Sequence, residues 1–209
     1  MELTSFNPAT GKEIGKVPVT DPSDIQKKVD SLRERIPTVD LETRLSWVRS
    51  AAERIREQVE DLARLMTEEQ GKPISESMGE VANSAVRLDY FCDTAPQALA
   101  NVEADLGNAR SVTRFQPIGV IGAIKPWNFP VTIPIWTIGP ALLAGNSILF
   151  KPSERTPLLG EAIAKLFPEA PMETVHGADE VGKAIVDSDV DMISFVGSQA
   201  VGSEIMKKS

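Results

Sequence analysis

Cysteine is almost missing: Cys92 is the only one in 209 residues, so no disulfide can form within the chain and nothing points to an oxidising compartment. Histidine is as scarce, with His176 alone, and the sequence holds no cluster of residues spaced as metal ligands. Positive charge is in deficit. Twenty-two Lys and Arg against thirty Asp and Glu leave a net charge of −8, which argues against nonspecific attraction to nucleic acid or anionic lipid and favours solubility. Long apolar runs are also lacking. The most apolar stretch, Ile133 to Phe150, is broken by Pro134, Gly139, Pro140, Gly145 and Asn146, so it reads as buried helix plus strand and not as a membrane span. Met1 to Gly11 has neither the basic flank nor the apolar core of a signal peptide. No low-complexity segment or internal repeat is evident. The expectation is a soluble cytoplasmic protein without a nucleic-acid or membrane partner.

What is present is ordinary globular composition, 42% hydrophobic and 25% charged, in a length that suits one large domain or a domain with an appendage. The chain opens with a short extended segment and a turn at Asn7-Pro8-Ala9-Thr10-Gly11. Asp21-Pro22 then starts a helix, Asp as cap and Pro at the first helical position, that stops before Pro37. From Leu41, apolar Leu45, Val48, Ala52, Ile55, Val59, Leu62 and Met66 recur at three and four, which predicts one long helix closed by Gly71 and Pro73. A further helix spans about Ile74 to Ala98, with Val81, Ala85, Leu88 and Phe91 as its stripe and Cys92 beside it. Cys92 is therefore read as a buried structural thiol.

After about Leu99 the pattern changes. Val102 to Leu106 and Ser111 to Gln116 can pair across Gly107-Asn108 as a hairpin. Four strand–helix units follow. The predicted strands are Gly119–Lys125, Ser147–Lys151, Met172–Val175 and Met192–Val196. The predicted helices are Ile133–Ala144, Pro157–Phe167, Glu180–Val186 and Gln199–Lys208. Serial units of this kind imply an α/β fold, a parallel sheet with helices on both faces, preceded by an N-terminal helical segment and a β-hairpin. The parts are 1–101, 102–117 and 118–209. Such sheets bind ligands beyond the carboxyl ends of their strands. The chain stops inside its last helix without a capping glycine, so the sheet edge is expected to be covered by residues outside this sequence.

The residues just after each strand therefore matter most. The string GVIGAIKPWNFPVTIPIWTIGPALLAGNSILFKPSERTP, residues 119–157, and ISFVGSQAVG, residues 193–202, resemble the NAD(P)-dependent aldehyde dehydrogenase superfamily. FNPATGK near the start and EEQGKP at Glu68 to Pro73 are weaker echoes, and the likeness runs in order along essentially the whole chain. It implies a Rossmann-like cofactor domain and an aldehyde-oxidising activity, with NAD favoured over NADP.

Asn128 is the residue nearest to chemistry. A side-chain amide can donate to an oxygen that gains charge in the transition state, a contribution of order 3 kcal/mol. The resemblance places Asn128 in an oxyanion hole; turn geometry before Phe129-Pro130 is the alternative reading. Lys151 and Glu154 can grip ribose hydroxyls by charge-assisted hydrogen bonds, and Glu154 disfavours a 2′-phosphate. Gly197 and Ser198 open the last helix, where free amides favour a pyrophosphate. The resemblance adds Ile124, Pro126, Trp127, Ser153, Phe195, Val196 and Val201 to the cofactor contacts. Gly177 and Gly182 belong there too, or serve simply as turn and packing glycines.

Two departures from the family pattern stand out. Val196 replaces a usual threonine, and Lys125 stands where a smaller or apolar residue is common, either steering phosphate or snorkelling outward. His176 reads as a turn residue. The resemblance also implies a catalytic cysteine and glutamate C-terminal to the FxGS helix, and the 209 residues contain neither. Three readings follow: a truncated or split aldehyde dehydrogenase, inactive alone and accepting an aldehyde only when completed; a non-catalytic dinucleotide-binding module; or an interaction protein on the same scaffold. The hairpin resembles the family's oligomerisation hairpin, so self-association or a complementing chain is expected.

Overall fold

The computed structural model describes residues 1–36 and 38–208; Pro37, the expected stop of the first helix, and Ser209 lie outside the described residues. The opening segment is a hairpin, β1 (Glu2–Phe6) against β2 (Glu13–Pro18). Its turn is held by the Asn7 side chain, which accepts from Ala9 N and Thr10 N at 2.9 and 3.2 Å. Asp21 caps a single 3₁₀ turn, Pro22–Asp24, by accepting from Ser23 N, and α1 (Ile25–Glu34) continues from it.

The expected long helix is two helices. α2 (Leu41–Glu57) and α3 (Val59–Gln70) break at Gln58, where φ is −114° and ψ 18°. The break consumes one residue, so Ile55, Val59 and Leu62 keep helical spacing across it and periodicity cannot register it. Gly71, in the left-handed region at φ 83°, closes α3. α4 (Ile74–Ala98) buries Val81, Ala85, Leu88 and Cys92. β3 (Val102–Asp105) and β4 (Arg110–Thr113) pair antiparallel and are exposed at every position, so this hairpin stands off the body.

The strand–helix series is β5 (Val120–Ile124), α5 (Thr132–Leu143), β6 (Ser147–Lys151), α6 (Pro157–Ala164), β7 (Met172–Thr174), α7 (Asp179–Val186), β8 (Met192–Phe195) and α8 (Gln199–Lys208). The four strands form one parallel sheet ordered β7-β6-β5-β8. Alternation along the strands separates two cores. Ile121, Ala123, Ile148 and Phe150 meet α2 to α6 on one face, while Val120, Leu149 and Val175 meet α1 and α7 on the other. Helices thus cover both faces. Among the described residues β8 has a partner strand on one side only.

Neither α5 nor α6 has a side-chain cap of its own. Glutamates from the outer helices fill that role. Glu69 of α3 accepts from Leu158 N and Leu159 N at 2.8 and 2.9 Å and from Ser5 Oγ. Glu80 of α4 accepts from Val131 N and Thr132 N, both at 3.1 Å. Each carboxylate meets helix-end amides in place of a local cap, and each fixes a loop that follows a strand.

Candidate functional site

Strand order reverses between β5 and β8, and a cleft of about 650 Å³ opens there at the strands' carboxyl ends. Such switch points are where open α/β sheets bind ligands. Ile124, Pro126 and Trp127 line it from β5, Lys151, Ser153 and Glu154 from β6, Gly182 from α7, and Phe195, Val196, Gly197, Ser198 and Val201 from β8 and α8. Residues far apart in sequence are thus brought to one opening.

Lys151 is buried, and its Nζ donates to Pro152 O at 3.3 Å and lies 3.9 Å from Glu154 Oε2. Burial pushes this amine below its ordinary value, while the Glu154 and Asp179 carboxylates pull it back up. Glu154 remains 43% exposed, and its Oε2 accepts from Ser153 Oγ at 3.5 Å. Ser153 Oγ accepts from Arg155 N at 3.2 Å, which shapes the turn. Behind it, a Cβ on Gly160 would sit 2.3 Å from Pro152 Cγ, so α6 can approach this turn only through a glycine. Across the cleft, Ser198 Oγ accepts from Val201 N at 3.3 Å in the first turn of α8. A buried cation, an exposed carboxylate and a helix N-terminus around one cleft form a donor and acceptor set that suits a dinucleotide.

Asn128 lies outside the cleft on the exposed loop after β5. Its neighbour Trp127 lines the cleft. Phe129, on its other side, lines a second groove of about 950 Å³ with Lys72, Arg87, Tyr90 and Trp136. Asn128 therefore sits on the wall between the two. Gln70 Nε2 donates to Trp127 O and Asn128 O at 2.8 and 3.0 Å, and Lys72 Nζ donates to Asn128 O at 3.1 Å. Lys72 also pairs with Glu80 and lies 4.3 Å above the Phe129 ring. The EEQGKP segment is thus the brace that aims this loop. Its motif was visible in sequence, but its role was not, because its partners lie 57 and 58 residues away.

Three expectations need correction. Gly177 does not line the cleft; it is buried where a Cβ would lie 2.3 Å from Val181 Cγ2, so it serves close packing of α7. His176 is not simply a turn residue. It is buried under α6 with Nε2 2.6 Å from Glu161 Oε1, and burial pushes the imidazole down against the pull of that carboxylate. Lys125 does not snorkel: it is 3% exposed, and its Nζ donates to Ser194 O and Oγ at 2.9 and 2.7 Å. Arg155, whose guanidinium lies 5.5 Å from the Trp127 ring, also lines the cleft with Asp179 and Lys183; Arg155 stands inside the 119–157 string without having been singled out, and Asp179 and Lys183 lie outside both strings.

Cys92 is 1% exposed, and burial pushes its thiol up to about 11, which leaves it protonated and inert. Among the described residues no group of three metal-ligating side chains comes together, and no helix is long and apolar enough to cross a membrane.

Comparison with known proteins shows the family. The model of the aldehyde dehydrogenase family matches residues 1–209. A malonate-semialdehyde dehydrogenase from Bacillus velezensis is 33% identical over 97% of this chain and 44% of its own length. A glyceraldehyde-3-phosphate dehydrogenase from Methanocaldococcus jannaschii, solved with NADP, superposes with a TM-score of 0.93 at 29% identity, over 99% of this chain and 48% of its own. A betaine aldehyde dehydrogenase point mutant from Staphylococcus aureus, solved with NAD+, superposes with a TM-score of 0.93 at 30% identity, over 100% of this chain and 45% of its own. The chain therefore spans less than half the length of these proteins.

Proposed function

The chain belongs to the aldehyde dehydrogenase family, and from that premise we propose that it is the dinucleotide-binding part of an enzyme oxidising an aldehyde to a carboxylic acid. The cleft at the β5–β8 switch point carries this reading, because twelve family-type contact residues converge on it from three strands and two helices. A bound nicotinamide dinucleotide would supply the hydride acceptor. The chain's own residues do the rest of the binding: Lys151 and Glu154 hold a ribose, the α8 amides and Ser198 face the diphosphate, and Asn128 offers an amide to the aldehyde oxygen.

The nucleophile is a different matter. The family chemistry needs a thiolate, and Cys92 is buried, protonated and part of the helical core. These 209 residues alone should therefore bind a dinucleotide without turning over an aldehyde. Completion by further residues, in this chain or another, would meet the open side of β8. The exposed β3–β4 hairpin, with Val102 and Val112 on its surface and Phe115 and Ile118 following it, suits contact with a second copy.

NAD is the preferred cofactor in this reading, because the Glu154 carboxylate competes with a 2′-phosphate for the same ribose edge. Titration of the chain with NAD+ and NADP+ tests it. Wild type should bind NAD+ more tightly, and Glu154→Ala should shift the affinity ratio toward NADP+ by about tenfold, or about 1.4 kcal/mol. Equal affinities in wild type, or an unmoved ratio in the variant, would reject both the preference and the assigned role of Glu154.

A further inference from the structure

A lysine ammonium is seldom buried without a carboxylate beside it, and Lys125 is such a case. It follows β5 directly, at the junction of the three strands that frame the cleft. Its N–H donates to Lys151 O of β6 at 3.0 Å. Its Nζ crosses to β8, donating to Ser194 O and Oγ, while Thr137 Oγ1 of α5 lies 3.4 Å from the same hydroxyl. The pairing of Ile124 with Phe195 sets Lys125 beside Val196, immediately before the Gly197-Ser198 entry to α8. The other charged groups around the cleft are Lys151 at the end of β6, Glu154 and Arg155 after it, Asp179 and Lys183 on α7, and Glu204 and Lys208 on α8. None of the described carboxylates lies within ion-pair distance of Lys125 Nζ, and α5 carries no ionisable residue. Two N–H bonds are spent on uncharged acceptors, so the positive charge itself is unmatched.

We propose that Lys125 is a positioning residue for the dinucleotide: it ties β8 to β5 beneath the Gly197-Ser198 entry and is the buried counter-charge of the diphosphate, taking up a solvent proton as the dinucleotide binds. The inference rests on the cleft being the dinucleotide site. Burial alone pushes the amine from 10.5 down to about 8, so near that pH the free chain holds a mixture of amine and ammonium. A diphosphate arriving in a water-poor cleft favours the ammonium, because attraction between opposite charges strengthens as the effective dielectric falls. Protonation and binding then assist one another reciprocally.

Calorimetric titration of the chain with NAD+ tests this, at pH 7 and pH 9.5 and, near pH 8.5, in buffers of differing ionisation enthalpy. Wild type should bind about tenfold more weakly at the higher pH, with net proton uptake near pH 8.5. Lys125→Met should bind about tenfold more weakly than wild type at pH 7, show no such pH dependence and take up no proton. Affinity of wild type that is flat with pH, or uptake that persists in Lys125→Met, overturns the role of Lys125 while leaving the dinucleotide site intact. Failure of wild type to bind NAD+ at either pH overturns both. The wild-type linkage stands as a test even without the variant.

Discussion

Glu80→Ala is expected to lower the unfolding free energy by about 3–5 kcal/mol, a large share of what a chain this size commands. The Glu80 side chain is 3% exposed on α4 and serves three donors at once. Oε1 accepts from Val131 N and Thr132 N, the otherwise uncapped start of α5, and Oε2 pairs with Lys72. Truncation leaves one buried and one part-buried amide without an acceptor and a nearly buried ammonium without its partner, the situation in which a lost hydrogen bond costs most. The damage extends to the site, because Lys72 also holds Asn128 O. Urea unfolding of wild type, Glu80→Ala and Glu80→Gln checks the account: the alanine variant should fall furthest, and glutamine, which keeps one acceptor oxygen, should recover part. A loss below about 1 kcal/mol in Glu80→Ala would contradict the tertiary-cap explanation.

Lys125→Met is expected to stabilise the chain at pH 7 by about 3 kcal/mol. The amine falls from 10.5 to about 8 on folding, and each pH unit of difference is worth about 1.4 kcal/mol. The sign follows from which form the fold disfavours. Below pH 8 the lysine is charged in both states, and the folded state bears the full cost of burying that charge. Between pH 8 and 10.5 the folded chain sheds its proton first, and the penalty disappears. The advantage of Lys125→Met over wild type should therefore be greatest at pH 7 and small near pH 10, measured as a difference in urea midpoints. A variant less stable than wild type at pH 7 would show that the bonds to Ser194 outweigh the buried charge. Weaker NAD+ binding with greater stability is the trade expected of a residue kept for the site at a cost to the fold.

Much of the scaffold was legible in the sequence because its signals are local. Gly71 and Pro73 mark a helix end, Asp21-Pro22 marks a start, and the apolar runs of β5 and β6 read as buried parallel strands. The cleft was legible for a second reason: a parallel sheet sends the residue after each strand to the same end, so Lys151, Glu154, Gly197 and Ser198 converge without any need to know the strand order. What escaped was non-local or silent in the pattern. The one-residue break at Gln58 preserves helical spacing. Glu69 and Glu80 look like ordinary solvent-facing glutamates until α5 and α6 are packed against them. Local sequence marks His176 as a turn residue and leaves Lys125 between steering phosphate and snorkelling, because their burial depends on α6 in one case and on β8 and α5 in the other. Gly177 shares the loop chemistry of a binding glycine, and only the position of Val181 shows that it packs instead.

Under the proposed function, the 209 residues hold a dinucleotide and offer the amide of Asn128 but supply no nucleophile. The most direct test is to saturate the purified 209-residue chain with NAD+, confirmed by a heat of binding, then add an aldehyde and follow NADH by absorbance. Saturable binding with no NADH formed is the expected result. Sustained NADH production by this chain alone would contradict it.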